Sequence, residues 1–98
     1  MPVDNLTLQR WRQLDAATVL RILAEHAKPD ASFVPAKDAA TRRWHANVRG
    51  REFELLLTGP KFWDSRAQCG GGGAVDLTMH LTGYGFRRAA TVLKERGL

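Results

Sequence analysis

The sequence predicts a small α+β domain, with a three-to-four-stranded antiparallel sheet, one helix before it and two after it. Three observations carry this. Residues 42–58 alternate apolar and polar around an Arg49-Gly50 pair, as a two-residue hairpin does. Phe86, Ala89, Ala90 and Leu93 recur at helical spacing. Between these segments the run Gly70-Gly71-Gly72-Gly73 stops abruptly at Ala74-Val75-Asp76-Leu77, an apolar helical start. A chain of 98 residues with 44% hydrophobic content fits one domain, residues 1–98, with one modest core.

The elements follow in order. Residues 1–14 read either as a short helix capped by Asn5, with Leu8 and Trp11 inward, or as an extended arm. Asp15 is a good N-cap for a helix over residues 16–28. Leu20, Leu23, Ala24 and Ala27 form its apolar stripe, Val19 and Ile22 widen it, and Pro29 ends it. Ser32-Phe33-Val34 reads as a short strand before a loop. In residues 42–48, Trp44, Ala46 and Val48 face one way and Arg43, His45 and Asn47 the other. A turn at Arg49-Gly50 then sets Trp44 opposite Leu55, Ala46 opposite Phe53, His45 opposite Glu54 and Asn47 opposite Glu52. Leu56 falls on the polar side. Thr58-Gly59-Pro60-Lys61 is a second turn, and residues 61–64 a third strand, in which Phe62 and Trp63 point to opposite sides. Residues 65–73 read as a loop, because four successive glycines lose too much backbone entropy to favour a regular element. A helix over residues 74–82 closes at Gly83. After the Tyr84-Gly85 corner, the last helix covers residues 86–96, with Arg87, Arg88, Lys94 and Glu95 outward.

Fifteen Lys and Arg against ten Asp and Glu give a net charge of +5, and the cations are spread along the chain rather than gathered in a tail. A basic folded domain attracts polyanions, most often nucleic acid. No apolar run approaches the roughly 20 residues of a membrane span, and the first residues lack a signal-peptide layout, so a cytoplasmic protein is expected. One cysteine, Cys69, allows no internal disulfide and no zinc ribbon.

The glycine run lacks the Lys-Ser/Thr of a phosphate-binding P-loop. It stands either as a close backbone approach to phosphate at a helix N-terminus or as room for the sheet to cross the helix. Asp76 and His80 share a helix face, which suggests a hydrogen bond between them more than a metal site with Cys69. No Ser–His–Asp or Cys–His signature is visible, so catalysis is not expected. The richer pattern is Arg42, Arg43, Arg49, Arg51, Lys61 and Arg66 on or beside three strands, interleaved with Trp44, Phe53, Phe62 and Trp63. Cations that track phosphates beside rings that stack bases are the chemistry of single-strand binding. Arg87 and Arg88 extend that surface or stay solvated.

The segment from about Trp44 to Leu93 resembles the zinc-binding domain at the N-terminus of bacterial DNA primases. Lys61-Phe62-Trp63-Asp64 is similar to that family's strand before the loop. Gly71-Gly72-Gly73-Ala74-Val75-Asp76-Leu77 is similar to its glycine loop and helix start, and Phe86-Arg87-Arg88-Ala89-Ala90-Thr91-Val92-Leu93 to its second helix. Ala74-Val75-Asp76-Leu77 with Met79-His80-Leu81 is closer still to metal-free relatives in mobile-element and plasmid proteins, where the domain often precedes a toprim domain. The family holds zinc with three Cys and one His. Cys69 stands alone here, so no metal or other cofactor is expected and the fold is a zinc-ribbon-like one without zinc. No polymerase or toprim region accompanies it, so primer synthesis is not expected of this chain.

The resemblance and the residues together imply a non-catalytic, primase-accessory-like protein. It binds single-stranded DNA in replication or transfer of a mobile element, beside a replication or DNA-transfer enzyme. Arg42, Arg43, His45, Arg49, Arg51, Lys61, Arg66, Arg87 and Arg88 meet phosphates, Trp63 stacks a base, and Gly71, Gly72 and Gly73 allow close backbone approach. The alternatives are an adaptor that docks on a polymerase, helicase or primase, and a small duplex-DNA-binding regulator. Leu55, Leu56 and Leu57 keep the adaptor open.

Overall fold

The computed structural model describes residues 3–98. The fold is α+β: α1 (Asn5–Gln13), α2 (Ala16–Leu23), β1 (His26–Pro29), β2 (Arg42–Val48), β3 (Arg51–Thr58), β4 (Lys61–Asp64), β5 (Cys69–Gly72), α3 (Ala74–Thr82) and α4 (Phe86–Glu95). The five strands form one antiparallel meander in the order β1-β2-β3-β4-β5. This is one strand and one helix more than the sequence suggests. No described helix is long and apolar enough to cross a membrane.

The β2–β3 hairpin has the anticipated register. Trp44 pairs with Leu55, His45 with Glu54, Ala46 with Phe53 and Asn47 with Glu52. Arg49 and Gly50 both take positive φ, at 54° and 80°, the geometry of a tight turn that matches strand twist. The inward residues Ala46, Val48, Phe53, Leu55, Leu57 and Phe62 meet Val19, Leu20, Leu77, Leu81 and Leu93 from the helices in one core. α2 and α3 lie against the sheet, and α1 and α4 pack on α3. At ~25 cal/mol per Å2 of apolar surface, this one-sided burial is the main favourable term in folding.

The N-terminal segment is a helix, not an arm, over residues 5–13; residues 1 and 2 lie outside the described part. Its cap is Asp4 and not Asn5, which is already the first helical residue; the Asp4 carboxylate accepts from the Thr7 amide at 2.7 Å. Trp11 is buried and anchors α1. The helix expected over 16–28 stops at Leu23, and residues 26–29 instead pair with β2, His26 against Asn47 and Lys28 against His45. Pro29 explains the switch. It disfavours helical backbone at Lys28 and is tolerated on an edge strand, where its missing N–H costs no ladder bond. The strand expected at 32–34 is absent: Asp30 accepts from the Ser32 amide and hydroxyl and turns the chain there. Phe86, expected inward, is 49% exposed, while Ala89, Ala90 and Leu93 of the same stripe are buried.

The glycine loop is the largest correction. Cys69–Gly72 is an edge strand, with Gly70 opposite Trp63 and Gly71 opposite Phe62. Side chains are excluded there by contact. A Cβ at Gly70 would lie 2.5 Å from the Phe62 carbonyl oxygen and 2.8 Å from the Trp63 ring. One at Gly71 would lie 3.2 Å from the Phe62 ring and 3.1 Å from the Asp76 carboxylate. The ladder bonds and close packing offset the entropy that glycine loses. Gly73, at φ 93°, then turns the chain into α3 against the backbone of Arg12, 3.3 Å from its own would-be Cβ.

Gly70→Ala therefore destabilises the fold by about 1–3 kcal/mol, the usual range for overpacking. Gly72→Ala, which meets only Lys61 Cγ at 3.8 Å, stays within about 0.5 kcal/mol of wild type. Denaturant unfolding of both variants checks the contrast; equal losses would mean that close approach is not why Gly70 is glycine.

Candidate nucleic-acid interface

Strand parity sorts the expected site residues into three places. The outer sheet face carries Lys28, Arg43, His45 and Asn47, then Glu52, Glu54, Leu56 and Thr58, then Lys61 and Trp63. Arg42 and Arg51 do not belong to it. They share parity with Trp44 and Phe53 and so sit on the helix side at the strand ends. Arg42 spends its guanidinium on the carbonyls of Ala39 and Thr41 at 2.7 and 2.8 Å. The cations read from the sequence as on or beside three strands are therefore divided between the two faces.

The outer face is also close to neutral. Arg43 pairs with Asp30 at 2.8 Å and approaches Glu54 at 4.0 Å. His45 reaches the same two carboxylates, at 3.1 Å for Asp30 and 3.8 Å for Glu54. Asp30 is held far below the ordinary carboxylate value by hydrogen bonds from Ser32, then His45, then Arg43. Neither Arg43 nor His45 is left free for a phosphate.

One corner of this face differs. Trp63 is 42% exposed while its neighbour Phe62 is 6% exposed, as opposite orientation requires. The Trp63 ring lies over Gly70, which has no side chain to hide it. Trp63 forms one wall of a cleft of about 510 Å3 with Phe33, Val34, Lys37, Asp38 and Leu56, so one carboxylate stands beside the lysine. Lys61 stands two residues along the same strand face. Phe33 and Lys37 escaped sequence reasoning, since their loop reaches the sheet face only through the Asp30 turn and the Arg43 guanidinium, 5.3 Å above the Phe33 ring.

The second basic cluster lies at the end of the sheet. Arg49 donates to the Tyr84 hydroxyl. The Arg49 and Arg88 guanidinium groups lie 5.0 and 4.0 Å from the Tyr84 ring centre, and that of Arg51 lies 5.2 Å from the Phe53 ring. Tyr84 thus joins the hairpin tip to the α3–α4 corner, a link that no local pattern displays. β4 runs back toward the same end, so the turn carrying Arg66 leaves the sheet there too. Among the described residues, Arg49, Arg51, Arg66, Arg87 and Arg88 form no ion pair, which leaves their charge uncompensated.

Gly71, Gly72 and Gly73 do not open the α3 N-terminus to an anion. Gly73 backs onto α1, and the Asp76 carboxylate accepts from the Gly72 amide at 3.4 Å. The expected Asp76–His80 bond is not formed. His80 instead donates to Asp64 at 2.7 Å, and its other ring nitrogen lies 3.7 Å from Cys69 Sγ. Burial pushes the Asp64 carboxyl up, but hydrogen bonds from His80 and from the Ala67 and Arg66 amides outweigh it, so Asp64 stays below its ordinary value. Among the described residues no three His, Cys, Asp or Glu side chains are arranged around a point that would hold a metal ion.

No family model matches the chain, and no solved structure matches it. A 44-residue segment, 45% of the chain, is 46% identical to part of a protein named "65 kDa protein" from Zymomonas mobilis subsp. mobilis. The chain spans 8% of that protein's length.

Asp30 and Asp64 both give up their proton more readily in the folded chain than at their ordinary 3.8. The stability this adds is present above that value and fades as the pH falls below it toward the lowered values. Denaturation midpoints should therefore hold from about pH 7 to about pH 5 and drop below that, and Asp30→Asn should flatten the drop. An unchanged pH dependence in the variant would exclude Asp30 as a source.

Proposed function

We propose that this chain binds single-stranded DNA without catalysing a reaction. The observation that carries the reading is Trp63: a half-exposed indole on a glycine floor, in a cleft with Phe33, with Lys37 and Lys61 beside it. A flat ring with cations at its rim holds one base by stacking and the flanking phosphates by charge. The strand continues past the end of the sheet, where Arg49, Arg51, Arg66 and Arg88 neutralise further phosphates. This path replaces Arg42, Arg43 and His45, whose polar groups are already engaged.

The resemblance to the zinc-binding domain of bacterial primases supports the same reading. It implies a cytoplasmic domain that acts in replication or transfer of a mobile element, beside a replication or DNA-transfer enzyme and without zinc.

One observation favours a second reading, the protein-docking adaptor. On the helix side, Leu8, Trp11, Val75, Met79 and Phe86 line a groove of about 390 Å3, with Phe86 half-exposed. Apolar surface of this kind suits a partner protein more than DNA.

Fluorescence anisotropy with a labelled ~20-nucleotide strand and its duplex, across a salt series, tests the proposal. Trp63→Ala should weaken single-strand binding roughly tenfold or more, the usual loss for one stacked base. Arg51→Ala with Arg88→Ala should lower the salt slope by about 1–2, while Arg43→Ala leaves it unchanged. Equal affinity of wild type and Trp63→Ala removes the stacking site; tighter duplex binding favours a duplex-binding regulator, and no binding at low salt favours the adaptor.

A further inference from the structure

Three titratable side chains that the nucleic-acid reading does not use stand in a line beneath the β4–β5 end. Asp64 closes β4 and is 4% exposed. Its Oδ1 accepts from the Arg66 and Ala67 amides at 3.0 and 3.1 Å, and its Oδ2 accepts from His80 Nε2 at 2.7 Å. Held ionised by these donors, Asp64 only accepts, so the imidazole proton sits on Nε2. The Nδ1 lone pair is then left for the Cys69 thiol, 3.7 Å away. The ring is fixed between Phe62, 5.3 Å between centroids, and Phe53, at 5.9 Å. Cys69 lies directly opposite Asp64 in the β4–β5 register, is exposed, and is followed by a residue with no side chain to screen it. Nucleophile, base and orienting carboxylate are thus all within contact, the arrangement that activates a weak nucleophile.

We propose that Cys69 is an activated thiol and a modification site for small disulfides, with His80 as its base and Asp64 as the positioning residue. His80 Nδ1 takes the thiol proton as Cys69 Sγ attacks one sulfur of the disulfide. A new S–S bond forms at Cys69, the original S–S bond breaks, and the departing thiolate takes the proton back from the imidazolium. The incoming disulfide supplies the oxidising equivalent, and excess thiol reverses the exchange. Arg66 in the adjoining turn, with Arg49, Arg51 and Arg88 at the same end of the sheet, favours disulfides that carry carboxylates, the glutathione class, over neutral ones. Cys69 is exposed at the start of an edge strand, so the chemistry is a modification of the chain and not turnover of a bound substrate.

The test is the rate of disulfide exchange of the full chain with neutral 2,2′-dithiodipyridine and with dianionic 5,5′-dithiobis(2-nitrobenzoate). At neutral pH the folded chain should react with the neutral probe roughly tenfold faster than the same chain unfolded in denaturant, where His80 is no longer held beside the sulfur. His80→Gln should abolish that advantage. Asp64→Asn should lower the rate and alter its pH dependence, because the amide lets the imidazole take the wrong tautomer. The dianionic probe should gain further on the neutral one in low salt than in high salt. A folded rate no greater than the unfolded rate overturns the proposal without any variant, as does a folded His80→Gln protein that reacts as fast as wild type. Mass spectrometry after exposure to glutathione disulfide should show one adduct on wild type; no adduct overturns the assignment to the glutathione class.

Discussion

The register of the β2–β3 hairpin is the constraint from which the rest of the molecule follows. Side chains alternate across a strand, so a slip of one residue would exchange Ala46, Phe53 and Leu55 for His45, Glu52 and Glu54 on the face that the helices cover. The Arg49-Gly50 turn holds the register from one end, with both residues in left-handed backbone. From the other end, the Gly59 carbonyl accepts the Ala16 amide at 2.8 Å and the Pro60 carbonyl accepts the Gly73 amide at 3.0 Å. The second turn thereby fixes where α2 and α3 begin. One pairing decides both what is buried and where the helices start.

The same parity decides what the surface offers. It sends Trp63 out and Phe62 in, and separates Lys61 from Arg51. Charges that the sequence shows interleaved with rings along three strands become an almost neutral face and a basic end. Asp30 does much of this. It lies outside the strands, yet its two oxygens organise the 30–41 turn, engage Arg43 and His45, and bring Phe33 across from Trp63. The outer face therefore presents relief and one exposed indole, and the uncompensated charge lies with the arginines around Tyr84.

Local pattern carries much of the fold. The hairpin, the third strand and both C-terminal helices are legible because alternation, the Arg49-Gly50 and Gly59-Pro60 turns and the Gly83 stop all agree. The failures share a cause in non-local pairing. Ala24 and Ala27 fit a helical stripe as well as a strand, and only the open edge of β2 resolves the choice. Glycine carries no strand signal, so β5 is visible only once Trp63 and Phe62 stand beside it. The line from Cys69 through His80 to Asp64 joins three segments and has no local spacing to announce it. The parity of Arg42 and Arg51, by contrast, was present in the alternation itself, since each sits at an even step from Trp44 or Phe53.

The two border strands have a consequence for how the domain meets other chains. A border strand offers unpaired amides and carbonyls on which a foreign strand can zip, the usual start of sheet-to-sheet clumping. Here one border is four residues long and ends in Pro29, which has no amide to offer. The other is equally short, runs straight into α3, and has its Gly72 amide engaged by Asp76. Neither side presents a long backbone template. A neighbour must then grip side-chain relief, which the chain can vary residue by residue, instead of a main-chain ladder that would accept almost any sequence.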